Sequence, residues 1–469
     1  MIRLLVEKEL RDSMHSARWA AAFGVSAVLI LLSFALGARQ HVAAAARHEA
    51  ARVEDLRQAE GLTDWAALRN HRIFLPPQPL EALVTGVSAD VGRTVAVRGR
   101  GAPVAEGSRY GEEPLHAAFR FLDLEFLFQV LLSLLVIVFA HDAVCGEKER
   151  GTLRLALANP VPRGAFVAGK LAGVCLAVTL PLLAALLLGC LLLPLLGVRL
   201  SGDEWLRLAL VAATGLLYLG AVAALSVLVS SLTRRAANSF LVLLAVWVAM
   251  VLVVPRVSVL LAGRAVPVLS ADEVESDLAR LRAQIAAEDM QAMAGFQSTP
   301  TPDPAVAVAE FQKFMEERAE ARQRKLDDLR GRLEERRANQ QAAQQRLALG
   351  LARLSPATSC ALAAANLAGV GLDLPRRFRD QAAAYQQEYA RFMVEKTGTN
   401  PGDGMVVRMR IGGEEPPPVD PAELPVFRYR PPRASELLPA ALLDVALLLL
   451  AGLALSAGAV IAFARYDAR

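Results

Sequence analysis

The sequence predicts an all-α polytopic membrane protein with six transmembrane helices, a long extracytoplasmic helical hairpin and a small mixed α/β outer subdomain. Hydrophobic residues make up 54% of the 469-residue chain, and the mean hydropathy is +0.36, which is too apolar for an ordinary soluble protein. Six windows reach the length of about 20 apolar residues that crosses the hydrocarbon core of a bilayer. In addition, basic residues collect in alternate connecting segments.

The membrane-spanning elements follow from the apolar windows in chain order. Residues 1–18 form an amphipathic segment with its apolar residues on one helical face, and this segment is predicted to lie in the membrane interface. The spans are then predicted at residues 19–37, 120–141, 166–197, 206–231, 238–262 and 437–464. The third window is long enough for one tilted span with an outer extension.

The distribution of positive charge sets the predicted orientation. Lysine and arginine concentrate in four segments, through Arg3, Lys8, Arg11, Arg18, Lys148, Arg150, Arg154, Arg163, Lys170, Arg234, Arg235, Arg465 and Arg469. With six alternating spans these segments fall on one side, which the positive-inside tendency makes cytoplasmic. Both termini and the loop at residues 142–165 are therefore predicted inside, and residues 38–119 and 263–436 outside.

The two large outer segments differ in character. Residues 38–119 begin as a helical continuation of the first span and then become rich in Pro and Gly with alternating Val and Thr, which predicts turns and short strands. Residues 263–436 are mostly helical, with one helix near 271–293 and another near 305–352 that would extend about 70 Å. The charges of the longer helix alternate in sign. A solvated hairpin or coiled coil and a dedicated substrate-handling element both fit this pattern.

A phosphate-loop spacing occurs in "GAFVAGK", with Gly164, Gly169 and Lys170 at the G-x-x-x-x-G-K positions. A working loop needs a preceding strand and a Ser or Thr after the lysine, whereas here Leu171 follows and a membrane span begins at once. The chain is therefore predicted to bind no nucleotide. The sequence also has no Ser/His/Asp, Cys/His or HExxH arrangement, no zinc-site spacing and no basic stretch interleaved with aromatics. Catalysis, metal binding and nucleic-acid binding are not expected.

The stretch "GEKERGTLRLALANPVPRG", residues 146–164, joins spans two and three on the predicted cytoplasmic side. Gly151 permits a turn, Thr152 suits the start of a short helix over residues 152–159, and Pro160 ends that helix. The residues alone leave two interpretations open: a functional helix across the inner mouth of the protein, or a simple connecting loop.

The order E-x-E-R-G-T-L, then P-V-P-R, then Gly-Lys at the start of the next span resembles the signature of ABC type-2 permeases. These are the membrane subunits of one class of ATP-binding-cassette exporters. The six-span plan is similar as well, and the large outer insertions resemble a bacterial subgroup of that family. The resemblance implies that the N-terminal helix and the loop after span two meet a cytoplasmic ABC ATPase subunit. The implied ATPase-coupling residues are Glu147, Glu149, Arg150, Gly151, Thr152, Leu153, Pro160, Arg163 and Lys170.

The resemblance also implies partners and a location. The chain would be a non-enzymatic permease subunit of the bacterial cytoplasmic (inner) membrane, surrounded by lipid and paired with a second permease subunit as a homo- or heterodimer. ATP and Mg²⁺ would be bound by the partner ATPase, so no cofactor is expected in this chain. A periplasmic or envelope partner would fit the outer insertions.

Acidic residues near the outer ends of spans are candidates for a translocation path, because charge in a membrane is costly and is often functional. They are Asp123, Glu125 and Asp444. The alternative is that they are interfacial residues that reach water or pair with Arg120 or Arg433.

Three functional hypotheses follow. In the first, the chain couples hydrolysis by a separate ATPase to export or extraction of an unidentified substrate. In the second, it is a non-transporting mechanotransmission subunit that uses the ATPase stroke to move its outer helices and control an envelope partner. In the third, it is a membrane-anchored assembly scaffold without an ATPase.

Overall fold

The computed structural model describes residues 2–14, 16–68, 71–88, 91–97, 105–106, 123–153, 162–296, 304–398 and 418–465. Within these residues, six helices are long and apolar enough to cross a membrane: Trp19–Arg57, Leu124–Glu149, Arg163–Leu195, Gly202–Leu232, Ala236–Ala265 and Ala434–Ala464. We number them spans 1 to 6. The predicted helical fold with six spans, a helical hairpin and a small sheet is confirmed, while its orientation in the membrane stays a prediction. The chain divides into two compact units, Met1–Val251 with Ser355–Arg469, and Leu252–Leu354.

The N-terminal helix α1, Ile2–Met14, packs against span 3. A glycine permits this close approach, because a Cβ added at Gly173 would lie 2.6 Å from the Cβ of Glu9. Ser16 then caps α2, Ala17–Arg57, with its side-chain oxygen. At 1.5 Å per residue α2 is about 60 Å long, so it continues well beyond the roughly 30 Å hydrocarbon core of a bilayer.

Span 2 contains a wide helical turn. It comprises α3, Leu124–Phe126, a π-helical stretch, Leu127–Leu132, and α4, Ser133–Ala140, and it ends after a turn with α5, Cys145–Glu149. The Ser133 hydroxyl donates to the carbonyl oxygens of Gln129 and Val130. Such side-chain bonds compete with the backbone ladder of a helix, and this competition lies where the π-helical stretch ends.

Spans 3 and 4 are the helices α6, Arg163–Leu195, and α7, Gly202–Leu232. Their apolar side chains join those of spans 1 and 2 in the main hydrophobic core. Gly215 allows span 4 to pack closely against Phe128 of span 2, because a Cβ added at this glycine would lie 2.7 Å from the ring. Small residues at such crossings are what allow membrane helices to approach closely.

Span 5 also contains a π-helical stretch. It comprises α8, Ala236–Val248, the π-helical residues Ala249–Val253, and α9, Val254–Ala265. Pro255 lacks a backbone N–H and its ring crowds the preceding turn, so the helix widens there. Ser355 donates its hydroxyl to the carbonyl oxygen of Met250 at 2.6 Å. Trp247 Nε1 donates to Ser133 Oγ at 2.8 Å, which joins span 5 to the π-helical region of span 2.

The unit Leu252–Leu354 is dominated by a helical hairpin, as predicted. Its two long helices are α10, Ala271–Ala294, and α11, Pro304–Ala352. At 49 residues, α11 is about 74 Å long. Near the end of α10, the ring of Phe296 lies 5.4 Å from that of Phe311 in α11, measured between centroids. Aromatic contacts of this kind stabilise the turn end of the hairpin.

A short helix, α12, Pro356–Ala368, packs against spans 4 and 6. Its 13 residues extend about 20 Å, which is too short to cross a membrane. The buried face consists mainly of alanine and serine with Cys360, and these small side chains permit close packing. The structure places this helix against the candidate spans 4 and 6, and the outer location of residues 263–436 stays a prediction.

The sheet has three antiparallel strands in the order β1, Arg72–Phe74, β2, Thr94–Ala96, and β3, Ala105–Glu106. Helix α13, Leu374–Thr397, contributes Phe378 to a second hydrophobic core that also contains Ile73. The two segments that are predicted to lie outside therefore fold together. We call the end of α2, the sheet, α13 and residues 418–433 the outer subdomain. Span 6 is the helix α14, Ala434–Ala464, which follows it.

Candidate coupling region

The turn at the end of span 2 is bound to spans 4 and 5 by two serines. Ser230 Oγ, in α7, accepts the backbone N–H groups of Val144 and Cys145, each at 3.0 Å. Ser239 Oγ, in α8, donates to the carbonyl oxygen of His141 at 2.7 Å. These bonds satisfy backbone groups at and beyond the helix end. The position of this turn is therefore set by spans 4 and 5.

Lys148 and Glu149 bond to opposite kinds of helix end. Lys148 Nζ donates to the carbonyl oxygens of Ser231 and Thr233, the latter at 3.0 Å, at the C-terminal end of α7. Glu149 Oε2 accepts the backbone N–H of Ala236 at 3.1 Å, at the N-terminal end of α8. A cation at a helix C-terminus and an anion at an N-terminus are both favourable. The two residues therefore fasten the loop to spans 4 and 5.

Lys170 lies buried between two carboxylates. Its Nζ is 2.6 Å from Glu9 Oε1 in α1 and 2.5 Å from Glu147 Oε1 in α5, which is part of the predicted loop at residues 142–165, and its side chain is 5% exposed. Lys8 Nζ lies 3.8 Å from the same Glu147 oxygen. Buried charges need counter-ions beside them, and here two ammonium groups balance two carboxylates. We call these four residues the Lys170 cluster; it joins α1, the loop and span 3.

Exposure divides the predicted coupling residues into two groups. The side chain of Glu147 is 14% exposed, whereas that of Arg150 is 73% exposed. Gly151 and Thr152 are exposed as well. Gly151 has a φ of 75°, a left-handed conformation that favours glycine. The turn therefore directs Arg150, Gly151 and Thr152 outward while Glu147 points into the protein.

The other predicted coupling residues are spread over neighbouring elements. Leu153 is buried in the main hydrophobic core. Arg163 Nη1 donates to the carbonyl oxygen of Ala464 at 2.5 Å, which ties the start of span 3 to the end of span 6. Pro160 and most of the helix predicted at residues 152–159 lie outside the described residues.

The acidic residues predicted for a translocation path occupy different settings. Asp123 Oδ1 accepts the backbone N–H of Phe126 at 2.8 Å and so caps α3. Glu125 Oε1 accepts a hydrogen bond from a glutamine one helical turn later at 3.3 Å. Asp444 is fully buried in span 6, and Arg120 lies outside the described residues. The capping bond gives Asp123 a structural role, and a translocation path through these residues stays a prediction.

Sequence reasoning missed Arg207, which is 4% exposed in span 4. Its Nε donates to the carbonyl oxygen of Leu367 at 2.8 Å, and its Nη2 donates to that of Ala368 at 2.5 Å, at the C-terminal end of α12. Asp203, one turn earlier, accepts the backbone N–H of Ala434 at 3.0 Å, at the start of α14. The pair therefore joins span 4 to α12 and span 6. An ionisable residue inside an apolar span is the signal that identifies such a position.

The comparison with known proteins agrees with this architecture. The model of the family described as ABC-2 family transporter protein matches residues 3–368, which is well over half of the chain. A search of curated proteins gives no match. The matched residues contain α1 except its first residue, spans 1 to 5 and the loop after span 2, and so include the whole Lys170 cluster. The predicted resemblance to ABC type-2 permeases is confirmed. The chain belongs to the ABC-2 transporter family and is a membrane permease component of an ABC transporter.

Proposed function

We propose that the chain couples ATP hydrolysis by a separate cytoplasmic ATPase subunit to a rearrangement of its spans that exports or extracts a substrate. The supporting observation is the attachment of one exposed turn, residues 150–152, to α1 and to spans 3, 4 and 5 through the neighbouring polar side chains. A displacement of that turn acts on several helices at once. ATP and Mg²⁺ belong to the ATPase subunit in this proposal.

The contacts favour two roles within the coupling region. Arg150, Gly151 and Thr152 are the contact surface for the ATPase, because they point outward. Glu147 and Lys170 are positioning residues, because they hold the loop against α1 and span 3. Glu149 and Arg163 bond to the ends of other helices. Leu153 packs in the main hydrophobic core, and Pro160 lies outside the described residues.

We further propose a second permease subunit as a partner. Within the most apolar windows of spans 5 and 6, only 6% and 11% of the residues are buried. Helices that are apolar all round need lipid or another helix against them. A homo- or heterodimer in the bacterial cytoplasmic membrane, with both termini on the cytoplasmic side, satisfies this requirement and the charge distribution.

The ATPase contact is tested by Arg150→Glu. The full chain is affinity-purified from membranes of its native cell, and ATP hydrolysis in the eluate is measured. We expect the variant to lower the co-purified activity by at least about fivefold, because an exposed charge would become repulsive at the interface. The unfolding midpoint should not change, since the side chain is 73% exposed.

The matched control is Arg280→Glu, since that arginine is 74% exposed on α10. It makes the same charge change on a residue outside the coupling region. Equal co-purified activity for the two variants would show that the turn at residues 150–152 is a plain loop.

A second candidate function, mechanotransmission, is favoured by the length of the hairpin. A continuous helix of 49 residues far exceeds a connection between two spans, and an unbroken helix carries a displacement over its length. In this alternative the ATPase stroke moves α10 and α11 to control an envelope partner.

Deletion of residues 272–350, with a short Gly/Ser bridge, tests whether the hairpin is needed for coupling between the ATPase and the spans. We expect the truncated complex to keep ATP hydrolysis and a nucleotide-dependent change in distance between spin labels on spans 2 and 6. The hairpin then serves substrate delivery or partner engagement. A truncated chain that fails to assemble in the membrane would make the hairpin a structural dimerisation element instead.

The proposed orientation is tested by labelling with an impermeant thiol reagent in intact cells. The background lacks the four native cysteines, Cys145, Cys175, Cys190 and Cys360. New cysteines near positions 60 and 330 should react from outside, and one near 235 should not. Reaction of the site near 235 contradicts the six-span orientation.

A further inference from the structure

The outer subdomain contains a cavity of about 230 Å³. Its walls are the end of α2, the strand β1 and the segment 424–429. The volume is below the roughly 300–1,000 Å³ of pockets that enclose a whole small molecule. A cavity of this size holds one or two side chains of a larger ligand.

One wall is the free edge of strand β1. Leu75 N donates to Arg93 O at 2.7 Å and Val97 N donates to His71 O at 2.8 Å, so residues 71, 73 and 75 form the hydrogen-bonded pairs with β2. In an antiparallel pair the residues between the hydrogen-bonded ones direct their N–H and C=O groups to the opposite edge. In β1 these residues are Arg72 and Phe74.

The first outward N–H already has an acidic acceptor. Arg72 N donates to Asp55 Oδ1 at 3.0 Å, and Asp55 lines the cavity. The next outward N–H, that of Phe74, has no hydrogen-bond partner within the described residues. The edge of β1 that faces the cavity is therefore an open template for a further strand.

The facing wall is a second unpaired backbone segment. Residues 426–429 lie outside helices, strands and turns, and their exposure alternates along the chain, which indicates an extended conformation. Within the described residues their backbone groups form no hydrogen bonds. The segment is held at both ends, because Tyr385 Oη donates to Pro425 O at 2.7 Å and Gln381 Oε1 accepts the N–H of Arg430 at 2.8 Å.

Three guanidinium groups and one carboxylate line the cavity: Arg52, Arg72, Arg428 and Asp55. Asp55 is already bonded, with Oδ2 2.7 Å from His71 Nδ1, while His71 Nε2 lies 2.7 Å from Tyr385 Oη. This buried chain of hydrogen bonds fixes the floor of the cavity. Arg52 is paired with Glu49 at 2.7 Å and Arg72 lies 3.7 Å from Asp55, whereas Arg428 has no ion-pair partner within the described residues. The guanidinium of Arg428 therefore favours an acidic side chain of a ligand, and lining residues such as Phe74 and Phe427 favour apolar side chains.

We propose that this cavity docks an extended acidic segment of a partner protein. The segment adds to the free edge of β1 as a further antiparallel or parallel strand. Because Asp55 already accepts the N–H of Arg72, the backbone of the segment bonds to the C=O of Arg72 and to the N–H and C=O of Phe74. An acidic side chain of the segment meets Arg428, and an apolar side chain enters the cavity. Addition of a strand to an open sheet edge is a general mode of peptide recognition.

The test measures binding of fluorescein-labelled peptides to the full chain in detergent by fluorescence anisotropy. The first probe is an acetylated peptide of alternating glutamate and valine. The second is the same peptide with every other backbone amide N-methylated, and the third has lysine in place of glutamate. We expect saturable binding of the first probe and at least about tenfold weaker binding of the other two, because they lack strand pairing or charge complementarity.

Arg428→Glu should weaken binding of the first probe by at least about tenfold. Arg430→Glu is the matched control, because Arg430 is also exposed on the same segment but its backbone is bonded to Gln381 and it does not line the cavity. The control should bind as the unchanged chain does. Unfolding midpoints measured on the same samples confirm that both variants are folded.

Three results overturn the proposal. They are the absence of saturable binding up to about 1 mM peptide, equal binding of the N-methylated probe, and equal loss of binding in the Arg428→Glu and Arg430→Glu variants. Equal binding of the N-methylated probe would mean that the cavity takes an acidic group without strand pairing. The inference does not rest on the proposed ATPase coupling, since the assay contains no ATPase and no nucleotide.

Discussion

The loop after span 2 and the hairpin unit use similar charged residues in different ways. In the loop, Glu149 bonds to the backbone of a helix end and Glu147 bonds to the buried Lys170. In the hairpin unit, charged side chains pair across exposed helix faces, as Lys325 does with Glu288 at 2.8 Å with both side chains about half exposed. Water already solvates exposed pairs, whereas a buried charge that loses its partner is costly. Burial therefore decides which charges hold the fold.

The largest effect is expected from Lys170→Met. The substitution leaves the carboxylates of Glu9 and Glu147 facing each other without their shared counter-ion, so it should lower the free energy of unfolding by about 3–5 kcal/mol. Thermal unfolding in detergent measures the change. Lys313→Met, at an exposed position on α11, is the control and should leave the midpoint unchanged. Similar midpoints for the two variants would remove the distinction between the regions.

A smaller effect is expected from Arg207→Leu. The variant leaves the carbonyl oxygens of Leu367 and Ala368 buried without their donor, which should cost about 2–3 kcal/mol. Arg207→Lys keeps the charge but loses the forked donor geometry, so its unfolding midpoint should fall between those of the other two chains. A lysine variant as unstable as the leucine variant would mean that guanidinium geometry, and not charge, supports the end of α12.

The outer subdomain extends the comparison to neutral buried polar groups. Tyr385→Phe removes the hydroxyl that donates to Pro425 O and lies beside His71 Nε2, each at 2.7 Å. The loss should destabilise the chain by about 1–2 kcal/mol, measured by thermal unfolding. Tyr429→Phe removes a buried hydroxyl that forms no hydrogen bond of good geometry within the described residues and lies beside the guanidinium of Arg377, so it should have a smaller effect. Equal effects would show that the hydrogen bonds of Tyr385 add nothing.

The burial of Tyr389 in the outer subdomain should make the stability of the chain fall at high pH. Burial raises the pKa of Tyr389 from its ordinary 10.0 to about 12. The folded chain then keeps a proton that the unfolded chain loses, so stability is unaffected below pH 10 and falls as the pH rises towards 12. At pH 11 the loss from this group should be about 1 kcal/mol. Denaturant unfolding at pH 9 and pH 11 measures it, and Tyr389→Phe should abolish that part of the pH dependence.

The smallest effect is expected in the hairpin. The hydrogen bond from Lys325 lowers the pKa of Glu288, yet both side chains are about half exposed. Lys325→Ala should leave the unfolding midpoint unchanged within measurement scatter. A drop as large as that of the Lys170 variant would show that the hairpin depends on its ion pairs.

The spans and the hairpin are predictable from the sequence because their signals are local. About 20 apolar residues in a row can cross a bilayer, and alternating charges over many helical turns mark a solvated helix. The position of α12 is not predictable in this way, because 13 apolar and small residues fit a buried helix as well as an outer one. The pairing of α13 with the sheet depends on contacts between distant segments, which periodicity does not report.

The coupling region shows the same limit more sharply. The motif around Glu147 identifies the loop, but nothing near it in sequence shows that its carboxylate turns inward. Lys170 also stands in a misleading phosphate-loop spacing, and its real partners are a residue 23 positions earlier and one 161 positions earlier. The motif therefore predicts where the coupling region lies, and only the fold shows which of its residues face outward.

The Lys170 cluster also has a consequence for how the chain is made. Glu9 leaves the ribosome 161 residues before Lys170, an interval of roughly 10–30 s at typical rates of synthesis. During that interval the ammonium group of span 3 that binds the Glu9 carboxylate does not yet exist, so this carboxylate stays hydrated. The docking of α1 on span 3 is therefore a late event in biogenesis. A nascent chain that ends before residue 170 has an N-terminal helix but lacks the lysine that binds it to span 3.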